Sequence, residues 1–343
     1  MSEYTFTEKL LHKLTLGNAR VREITYDFEK IFIQTDKVSS EAVYVLGIAR
    51  AGTTALMQEL YDSKIFASLT YDDMPFVLAP NLWKKITRLN NKKRITKERA
   101  HGDGVFVNFD SPEALEEVFW RTVCNDQYID KNSLHSHLCD DEIISELNRY
   151  QNLVCKKYNK DRYLAKNNNT LLRIASLAPK QPQSKFLILF RDPFFHAKSL
   201  LKQHNRFKKA DQFTNLYMEF LVHHEFGDDF RPFNFNKDMP VPGNPSDIQY
   251  WINYWAYVYD YLLEVIEENS KNIIPICYER LCSEPEYWHQ ICNKLKIPIS
   301  TTSFRSNNTN ENPETRELDL KHAENVYQRL VQLSNLENNQ NTI

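Results

Sequence analysis

A stretch of small residues around one cation, directly after a run of apolar residues, is the first candidate for chemistry. It reads Gly47-Ile48-Ala49-Arg50-Ala51-Gly52-Thr53-Thr54 and holds two of the seven glycines in the chain. The spacing matches the first half of the motif G-x-x-x-x-G-K-[ST], but Thr53 stands where that motif has its lysine. A loop of this kind points backbone N–H groups and a helix N-terminus at an anion, which requires no lysine. The octet predicts a phosphate site with Arg50 as its cation, or, taken alone, a tight strand-to-helix turn.

The octet resembles the 5'-phosphosulfate loop of PAPS-dependent sulfotransferases, usually written Pro-Lys/Arg-Ser-Gly-Thr-Thr. The second motif of that family, a basic strand end followed eight residues later by Ser, is matched by Arg191 and Ser199. The resemblance implies that these two residues bind the 3'-phosphate. The stretch 278–285 is similar to the family's Tyr-Glu-x-Leu-x-x-x-Pro segment near the adenine, which implies a contact from Tyr278. The resemblance covers roughly residues 40 to 300.

A second anion site agrees with the chemistry of this nucleotide, because PAPS carries a 3'-phosphate that ATP lacks. An arginine at the carboxyl end of a strand can supply that site, with a hydroxyl two turns into the next helix. Two residues depart from the family pattern: Ala49 replaces Pro, and Ala51 replaces Ser, which leaves only a backbone N–H at position 51. The nucleotide-binding residues implied by the resemblance are Arg50, Ala51, Gly52, Thr53, Thr54, Arg191, Ser199 and Tyr278. An ordinary ion pair of Arg191 with Asp192 at a helix start is the alternative.

Sulfuryl transfer requires a stabilised bridging oxygen and removal of the acceptor's proton. Arg50 is the predicted cation for the leaving group, and because a sulfonate bears less charge than a phosphoryl group we expect no metal. Two residues are candidates for the base. Asp73 lies where some sulfotransferases place a catalytic carboxylate, and His101 lies in a glycine-containing loop at a distance comparable to that of the family's histidine base. The alternatives are a helix-capping Asp and a turn-lining His.

Three further residues are predicted to contact the acceptor. Lys166 stands at the end of a predicted strand, where α/β sites collect, while His223 and His224 lie in an aromatic-rich segment. Aromatic loops can stack on a sugar, a phenol or a lipid head group. The acceptor is therefore expected to be a small molecule or a carbohydrate with a hydroxyl or an amine.

The elements that must position these residues alternate along the chain. Apolar runs at 42–46, 162–165, 186–190 and 273–277 are typical of buried strands, and helical patterns follow them. Asp192 and Pro193 are a suitable N-cap and first helical residue. The pattern predicts an α/β protein with a central, mostly parallel sheet flanked by helices. With the resemblance, it predicts the P-loop-NTPase-like sulfotransferase fold.

Three segments of the chain are distinguished by their patterns. Residues 1–40 are expected to form helices packed on the core, with Val21, Ile24, Phe28 and Ile31 as a packing stripe. Residues 41–300 are the predicted sulfotransferase domain, with insertions at about 62–160 and 205–250. Residues 301–343 hold a predicted amphipathic helix and a polar tail.

Composition limits the remaining possibilities. The 343 residues are 42% hydrophobic and 26% charged, which excludes a disordered, collagen-like or coiled-coil chain. A net charge of -2 gives no global positive field for nucleic acid. No membrane-spanning run or secretory leader is visible, and six cysteines without a C-x-x-C pair fit a reducing, cytoplasmic location. A P-loop nucleotide kinase or NTPase, or a non-catalytic nucleotide-binding protein, remains the alternative function.

Overall fold

The fold is built on one parallel sheet. A computed structural model of the chain describes residues 6–35, 41–87, 97–98, 106–107, 112–235, 241–269, 271–301, 304–305 and 318–336. The strands are β1 (Glu41–Leu46), β2 (Phe66–Ala67), β3 (Lys97–Glu98), β4 (Phe106–Val107), β5 (Leu134–His135), β6 (Arg162–Lys166), β7 (Lys185–Phe190), β8 (Phe233–Asn234) and β9 (Ile273–Cys277). Five of them form the central sheet, in the order β2-β6-β1-β7-β9, and every pair is parallel. The remaining strands form two small pairs, β3 with β4 and β5 with β8.

Helices cover both faces of the central sheet. They are α1 (Phe6–Gly17), α2 (Ala19–Phe32), α3 (Thr53–Asp62), α4 (Pro80–Thr87), α5 (Glu117–Val123), α6 (Asp141–Tyr158), α7 (Ile174–Lys180), α8 (Pro193–Phe207), α9 (Gln212–Phe220), α10 (Ile248–Glu268), α11 (Tyr278–Ser283), α12 (Pro285–Leu295) and α13 (Lys321–Leu333). Short 3-10 turns lie at Tyr71–Asp73 and Asn168–Leu172. No helix within these described ranges is long and apolar enough to cross a bilayer.

Side chains that alternate along β1 reach two separate cores. Val43 and Val45 pack with residues of α3 and α12, whereas Tyr44 and Leu46 pack with the helices of the opposite face. Such two-sided burial is the reason why the strands read as continuous apolar runs. The predicted α/β class, with its central sheet between helical layers, is therefore confirmed.

The inner face of α2 differs from the sequence expectation. The helix forms where predicted, but Ile24, Phe28 and Ile31 are 52%, 50% and 69% exposed, so the apolar stripe faces outward. The buried face carries Arg22, Tyr26 and Glu29 instead. Glu29 accepts the backbone N–H groups that open α4, at 2.8 and 3.0 Å. The first amides of α4 have no acceptor within that helix, and a carboxylate is stabilised at a helix N-terminus. The face of α2 that carries Glu29 is therefore the one that turns inward.

The long helix α10 was not predicted from the sequence pattern. Its wide buried face includes Trp251, Trp255 and Tyr259. The more exposed side is a narrow polar stripe at helical spacing, with Asn253, Asp260 and Glu264, so the sequence does carry the signal of an amphipathic helix. It packs along α8 and α13. Through these contacts α10 reaches the carboxyl end of the sheet, beneath the loop that follows β1.

The connections of β1 and β7 leave in opposite directions. The chain passes from β1 outward to β2 on one side, and from β7 outward to β9 on the other. Between two such strands their carboxyl ends open a crevice, which is where α/β sheets bind ligands. The octet at 47–54 follows β1 and Arg191 follows β7. The topology therefore brings the two predicted anion-binding segments to the same crevice.

Candidate functional site

The loop after β1 turns through backbone conformations that favour glycine. Gly47 has φ 151° and Gly52 has φ 101°. A Cβ on Gly47 would stand 2.7 Å from the carbonyl oxygen of Leu189, so the loop lies directly against the end of β7. Arg50 also has a positive φ, 72°, which is uncommon for a residue with a side chain. Strain of this kind persists only where surrounding contacts hold it, and it collects at binding sites.

The amides at the start of α3 belong to the predicted anion site. Gly52 precedes the first helical residue, and the first amides of an α-helix have no acceptor within the helix. Such amides, together with the helix dipole, favour an anion at a helix N-terminus. The N–H of Ala51 differs, because it donates to the carbonyl of Ile48 at 3.1 Å. The expectation that this amide contacts phosphate is thus not supported, and the amides of Gly52, Thr53 and Thr54 are better placed.

Two arginines and a serine join the ends of β1 and β7. Arg50 Nε donates to Ser199 Oγ at 3.4 Å, and Arg191 Nη1 donates to the carbonyl of Arg50 at 3.3 Å. Asp192 caps α8 by accepting the N–H of Phe195 at 3.0 Å, as its position predicts. The structure therefore brings Arg50 together with Arg191 and Ser199, which lie 141 and 149 residues further along the chain.

Tyr278 lies over this group from the end of β9. Its ring packs on Gly52, and the guanidinium of Arg191 lies 5.4 Å from the ring centroid. The phenol donates to the carbonyl of Arg305 at 3.1 Å, and burial raises its pKa to about 12. Tyr278 stands between Arg191 and the loop at 47–54, which is named the phosphate loop after its predicted ligand, and contacts both.

Glu279 was missed in the sequence and lies beside Arg191. Its carboxylate is 4.0 Å from Arg191 Nε and accepts the backbone N–H of Asp192 at 3.1 Å. It also lies near the hydroxyl of Tyr327, at 3.5 Å. An acidic group therefore faces the predicted 3'-phosphate site. The segment similar to the family motif contained this residue, but only strand order shows that it meets Arg191.

His196 and Trp255 support the loop from below and were also missed. His196 is fully buried, and its Nε2 lies 2.8 Å from the carbonyl oxygen of Ala49. Trp255 Nε1 donates to His196 Nδ1 at 3.1 Å. Burial, aided by the charge of Arg191, lowers the pKa of His196 to about 3. A partial signal existed, since His196 precedes Ser199 by three residues and shares its helix face.

Lys166 and His223 form a second group near the end of β6. Lys166 pairs in register with Val45, two residues before the phosphate loop. His223 is half-buried, and burial lowers the pKa of its imidazole. The negative charge of Glu225 raises that pKa, and the positive charge of Lys166 lowers it further. Its Nε2 lies 3.2 Å from the carbonyl of Ala114, so in the neutral ring Nε2 carries the hydrogen and Nδ1 keeps its lone pair.

A strained residue fixes the direction of His223. Val222 has φ 55°, a conformation that is a genuine outlier for a β-branched side chain. Its carbonyl accepts the side-chain N–H of Asn169 at 2.9 Å, which ties the turn to the end of β6. The turn therefore holds His223 near Lys166 at a backbone cost that surrounding contacts maintain.

His224 has a different environment from His223. It is buried, and its Nδ1 lies 2.7 Å from the carboxylate of Asp229. It lines a cavity of about 10 Å³ together with Ile48 and Ala49 of the phosphate loop. A cavity of that size holds one water at most. These contacts favour a structural role for His224 over the predicted contact with an acceptor.

Asp73 is enclosed in a polar network of its own. It is fully buried, 2.5 Å from Lys157 Nζ and 2.6 Å from the hydroxyl of Tyr158. It also accepts the backbone N–H of Thr70 at 2.8 Å, which completes a capping box. The acceptor positions of this carboxylate are therefore occupied by groups of the protein itself. The geometry favours a structural role for Asp73 over that of the base.

His101, the other candidate base, lies outside the described residues. Within the described part of the chain, no group of three or more His, Cys, Asp or Glu side chains is placed to hold a metal ion. The six cysteines are free thiols. The prediction that His101 is the base stays a prediction.

No protein-family model matches the sequence, and no curated protein does so either. Solved structures do match. A sulfotransferase of Mycobacterium tuberculosis H37Rv shares 13% identity, with 86% of this chain and 79% of that one covered and a TM-score of 0.42. A sulfotransferase of Mycobacterium avium shares 13% identity over 88% and 75% of the two chains, with a TM-score of 0.47.

A sulfotransferase of Alicyclobacillus acidocaldarius shares 14% identity over 85% of this chain and 94% of that one, with a TM-score of 0.40. The similarity to each of the three is one of fold alone. All three are described as sulfotransferases, the family whose motifs the sequence of this chain resembles.

Proposed function

We propose that this protein transfers the sulfuryl group of PAPS to a hydroxyl or amine of a small-molecule or carbohydrate acceptor and releases 3',5'-ADP. One observation carries the proposal: a helix-start anion site after β1 and a second basic site after β7 meet in one crevice. The carbonyl of Arg50, bonded to Arg191 at 3.3 Å, joins the two. A nucleotide with anions at both ends of its ribose matches such a paired site.

The 5' end of the nucleotide is assigned to the start of α3. The amides of Gly52, Thr53 and Thr54 would hold the phosphosulfate, and the residues fit this group because Gly47 and Gly52 let the loop close against β7 and Tyr278. PAPS supplies the activated sulfuryl group. Arg50 would stabilise the negative charge on the bridging oxygen, and because its guanidinium stays protonated it acts electrostatically.

The 3' end is assigned to Arg191 and Ser199. Arg191 presents a guanidinium that is anchored at the loop and at Glu279, and Ser199 offers a hydroxyl from the same helix that Asp192 caps. Binding a phosphate by arginine and hydroxyl together is charge-assisted and directional. Tyr278 would contact the nucleotide from the end of β9.

The acceptor is assigned to the side of the crevice near β6. Lys166 stands one strand away from the phosphate loop, and the lone pair of His223 Nδ1 can accept a hydrogen bond from an acceptor hydroxyl. His101 is proposed as the base, since a histidine near neutral pKa suits removal of a proton from a hydroxyl. As the composition predicts, we place the reaction in the cytoplasm.

Ligand-dependent thermal stability tests the proposal directly. A ligand that binds only the native state raises the melting temperature, so 3',5'-ADP should stabilise the protein more than 5'-AMP or ATP with Mg²⁺. Stabilisation by ATP with Mg²⁺ alone would favour a nucleotide kinase or NTPase instead. Stabilisation by 3',5'-ADP without turnover of PAPS in broad acceptor mixtures would favour a non-catalytic nucleotide-binding protein.

Arg191→Ala provides the specific arm of the test. The variant should lose affinity for 3',5'-ADP by about 1.5 to 3 kcal/mol, the size of a charge-assisted hydrogen bond, and lose little for 5'-AMP. Arg329→Ala is the matched control. Arg329 is an exposed arginine of α13 that pairs with Glu267 of α10. Calorimetry that gives equal losses for the two nucleotides would remove Arg191 from the proposed role.

A further inference from the structure

A hydrogen-bond relay runs from α10 through α8 to the phosphate loop. Trp255 Nε1 donates to His196 Nδ1 at 3.1 Å, and His196 Nε2 lies 2.8 Å from the carbonyl oxygen of Ala49. An indole N–H only donates and a carbonyl only accepts. The two partners therefore fix one neutral tautomer of His196, with the hydrogen on Nε2. The direction of donation runs from Trp255 to His196 to Ala49.

The relay determines which way one peptide of the loop faces. In a trans peptide the C=O and the following N–H point in opposite directions. Since the carbonyl of Ala49 faces His196 on α8, the N–H of Arg50 points away from α8. The next carbonyl, that of Arg50, is held in turn by Arg191 Nη1 at 3.3 Å. Two consecutive carbonyls of the loop are thus anchored by side chains that follow β7.

These anchors act where the backbone is least favourable. Arg50 has φ 72°, and Gly52 follows with φ 101°. A positive φ at a residue with a side chain is maintained only when neighbouring contacts determine it. His196 supplies such a contact from the interior, where its bond is not weakened by competition with solvent.

We infer that His196 is a positioning residue: it holds the Ala49 peptide so that the N–H groups of the loop face the anion. The identity of that anion rests on the function proposed above. His196 itself does not contact the ligand in this assignment. Its neutral form is stabilised by burial and by Arg191 and Arg50, whose positive charges oppose its protonation.

Three substitutions of His196 separate positioning from simple packing. His196→Gln places an amide near the Nε2 position and can still donate to Ala49, whereas His196→Asn is too short to reach it. His196→Leu fills the space and offers no polar group. We expect binding of 3',5'-ADP to weaken about tenfold or more in the Asn and Leu variants, because a buried carbonyl loses its partner. The Gln variant should remain within about threefold of the wild type.

A pair of tryptophan variants provides a second test that leaves the His196 side chain itself unchanged. Trp255→Phe removes the donor to His196 Nδ1 and should weaken binding of 3',5'-ADP severalfold. Trp251→Phe is the matched control: Trp251 lies one turn earlier on α10, is equally buried, and donates its indole N–H to the carbonyl of Pro245 at 2.8 Å. It should leave the affinity unchanged.

Hydrogen exchange of the ligand-free protein gives a readout that is independent of nucleotide identity. Amides at 50–52 should exchange faster in His196→Leu and His196→Asn than in the wild type or His196→Gln. If the wild-type protein fails to bind 3',5'-ADP, the proposed function is wrong. Hydrogen exchange at 50–52 still tests whether His196 holds the loop. Equal loop exchange in the Leu, Asn and Gln variants, or equal affinities where binding occurs, would overturn the inference.

Discussion

The ring of Tyr278 lies directly on the backbone of Gly52. A Cβ at Gly52 would stand 2.3 Å from both Cδ2 and Cε2 of that ring. Tyr278 opens α11 at the end of β9, whereas Gly52 precedes α3. The phosphate loop is therefore held from two sides, by Tyr278 above it and by His196 beneath Ala49.

Gly52→Ala is expected to damage the loop for two separable reasons. The backbone at φ 101° strains any side chain, at a cost of about 1 to 3 kcal/mol, and the new methyl group displaces the ring of Tyr278. Urea unfolding should show lower stability, and binding of 3',5'-ADP should be lost or weakened more than tenfold. In a Tyr278→Ala background the same substitution should cost less. Equal costs in both backgrounds would mean that the ring contact contributes nothing.

Glu279→Gln is expected to strengthen binding of 3',5'-ADP. The substitution removes a negative charge 4.0 Å from Arg191 and keeps an oxygen that can accept the N–H of Asp192. The gain should be about two- to fivefold, the size of a partly exposed ion pair worth about 0.5 to 1 kcal/mol. The affinity for 5'-AMP, measured by the same calorimetry, should stay constant. Weaker binding would show that Glu279 serves mainly to orient Arg191.

Asp73→Asn is expected to lower the free energy of unfolding by about 3 to 5 kcal/mol, because the buried Lys157 loses the nearer and fully buried of its two carboxylate partners. The two side chains are 0% and 3% exposed. Asp72→Asn is the matched control, since Asp72 is half exposed and lies 3.9 Å from the same lysine. Chemical denaturation of both variants measures the difference. A similarly small loss in both would contradict the structural role assigned to Asp73.

His101→Ala is expected to lower kcat by about 10² to 10⁴ while the affinity for 3',5'-ADP stays nearly unchanged, because a general base acts in the transition state. Transfer kinetics with an identified acceptor, or slow hydrolysis of PAPS to 3',5'-ADP, provides the measurement. A full loss in a stable Asp73→Asn variant together with normal turnover in His101→Ala would assign the base to Asp73 instead.

Stability should fall as the pH drops from about 6.5 toward 3, in part because of His196. The pKa of His196 is lowered to about 3 in the folded protein. Between pH 6.5 and pH 3 the imidazole is therefore protonated in the unfolded chain and neutral in the native state. The contribution is about 1.4 kcal/mol per pH unit. In His196→Gln, the loss between pH 7 and pH 5 should shrink by about 2 kcal/mol in urea unfolding. An unchanged loss would show that His196 takes up its proton in the folded state.

Local sequence was sufficient to predict the elements that carry the two predicted anion sites. A strand at 42–46, a glycine-bounded loop and a helix follow from an apolar run and two positions that need a positive φ. Asp192 and Pro193 mark the start of α8 because a side-chain cap and a fixed proline φ act within one turn. Arg191 lies just before that helix and Ser199 lies within it, and both contact Arg50 across the crevice.

The inner face of α2 and the environment of Asp73 were decided only by the tertiary structure. Periodicity shows which residues share a helix face, but the partner of that face determines which one is buried. Glu29 is buried because α4 offers it backbone N–H groups, and Asp73 is buried because Lys157 lies 84 residues away in the chain and next to it in space.

The same reason explains why His196 and Glu279 were missed in the sequence. Each acts through a partner that strand order brings to it: Ala49 is 147 residues from His196, and the N–H of Asp192 is 87 residues from Glu279. Hydrogen bonds between such distant positions leave no periodic signal in the chain. The sequence alone determined which segments are predicted to bind anions, and the order of the parallel strands decided which side chains hold those segments in place.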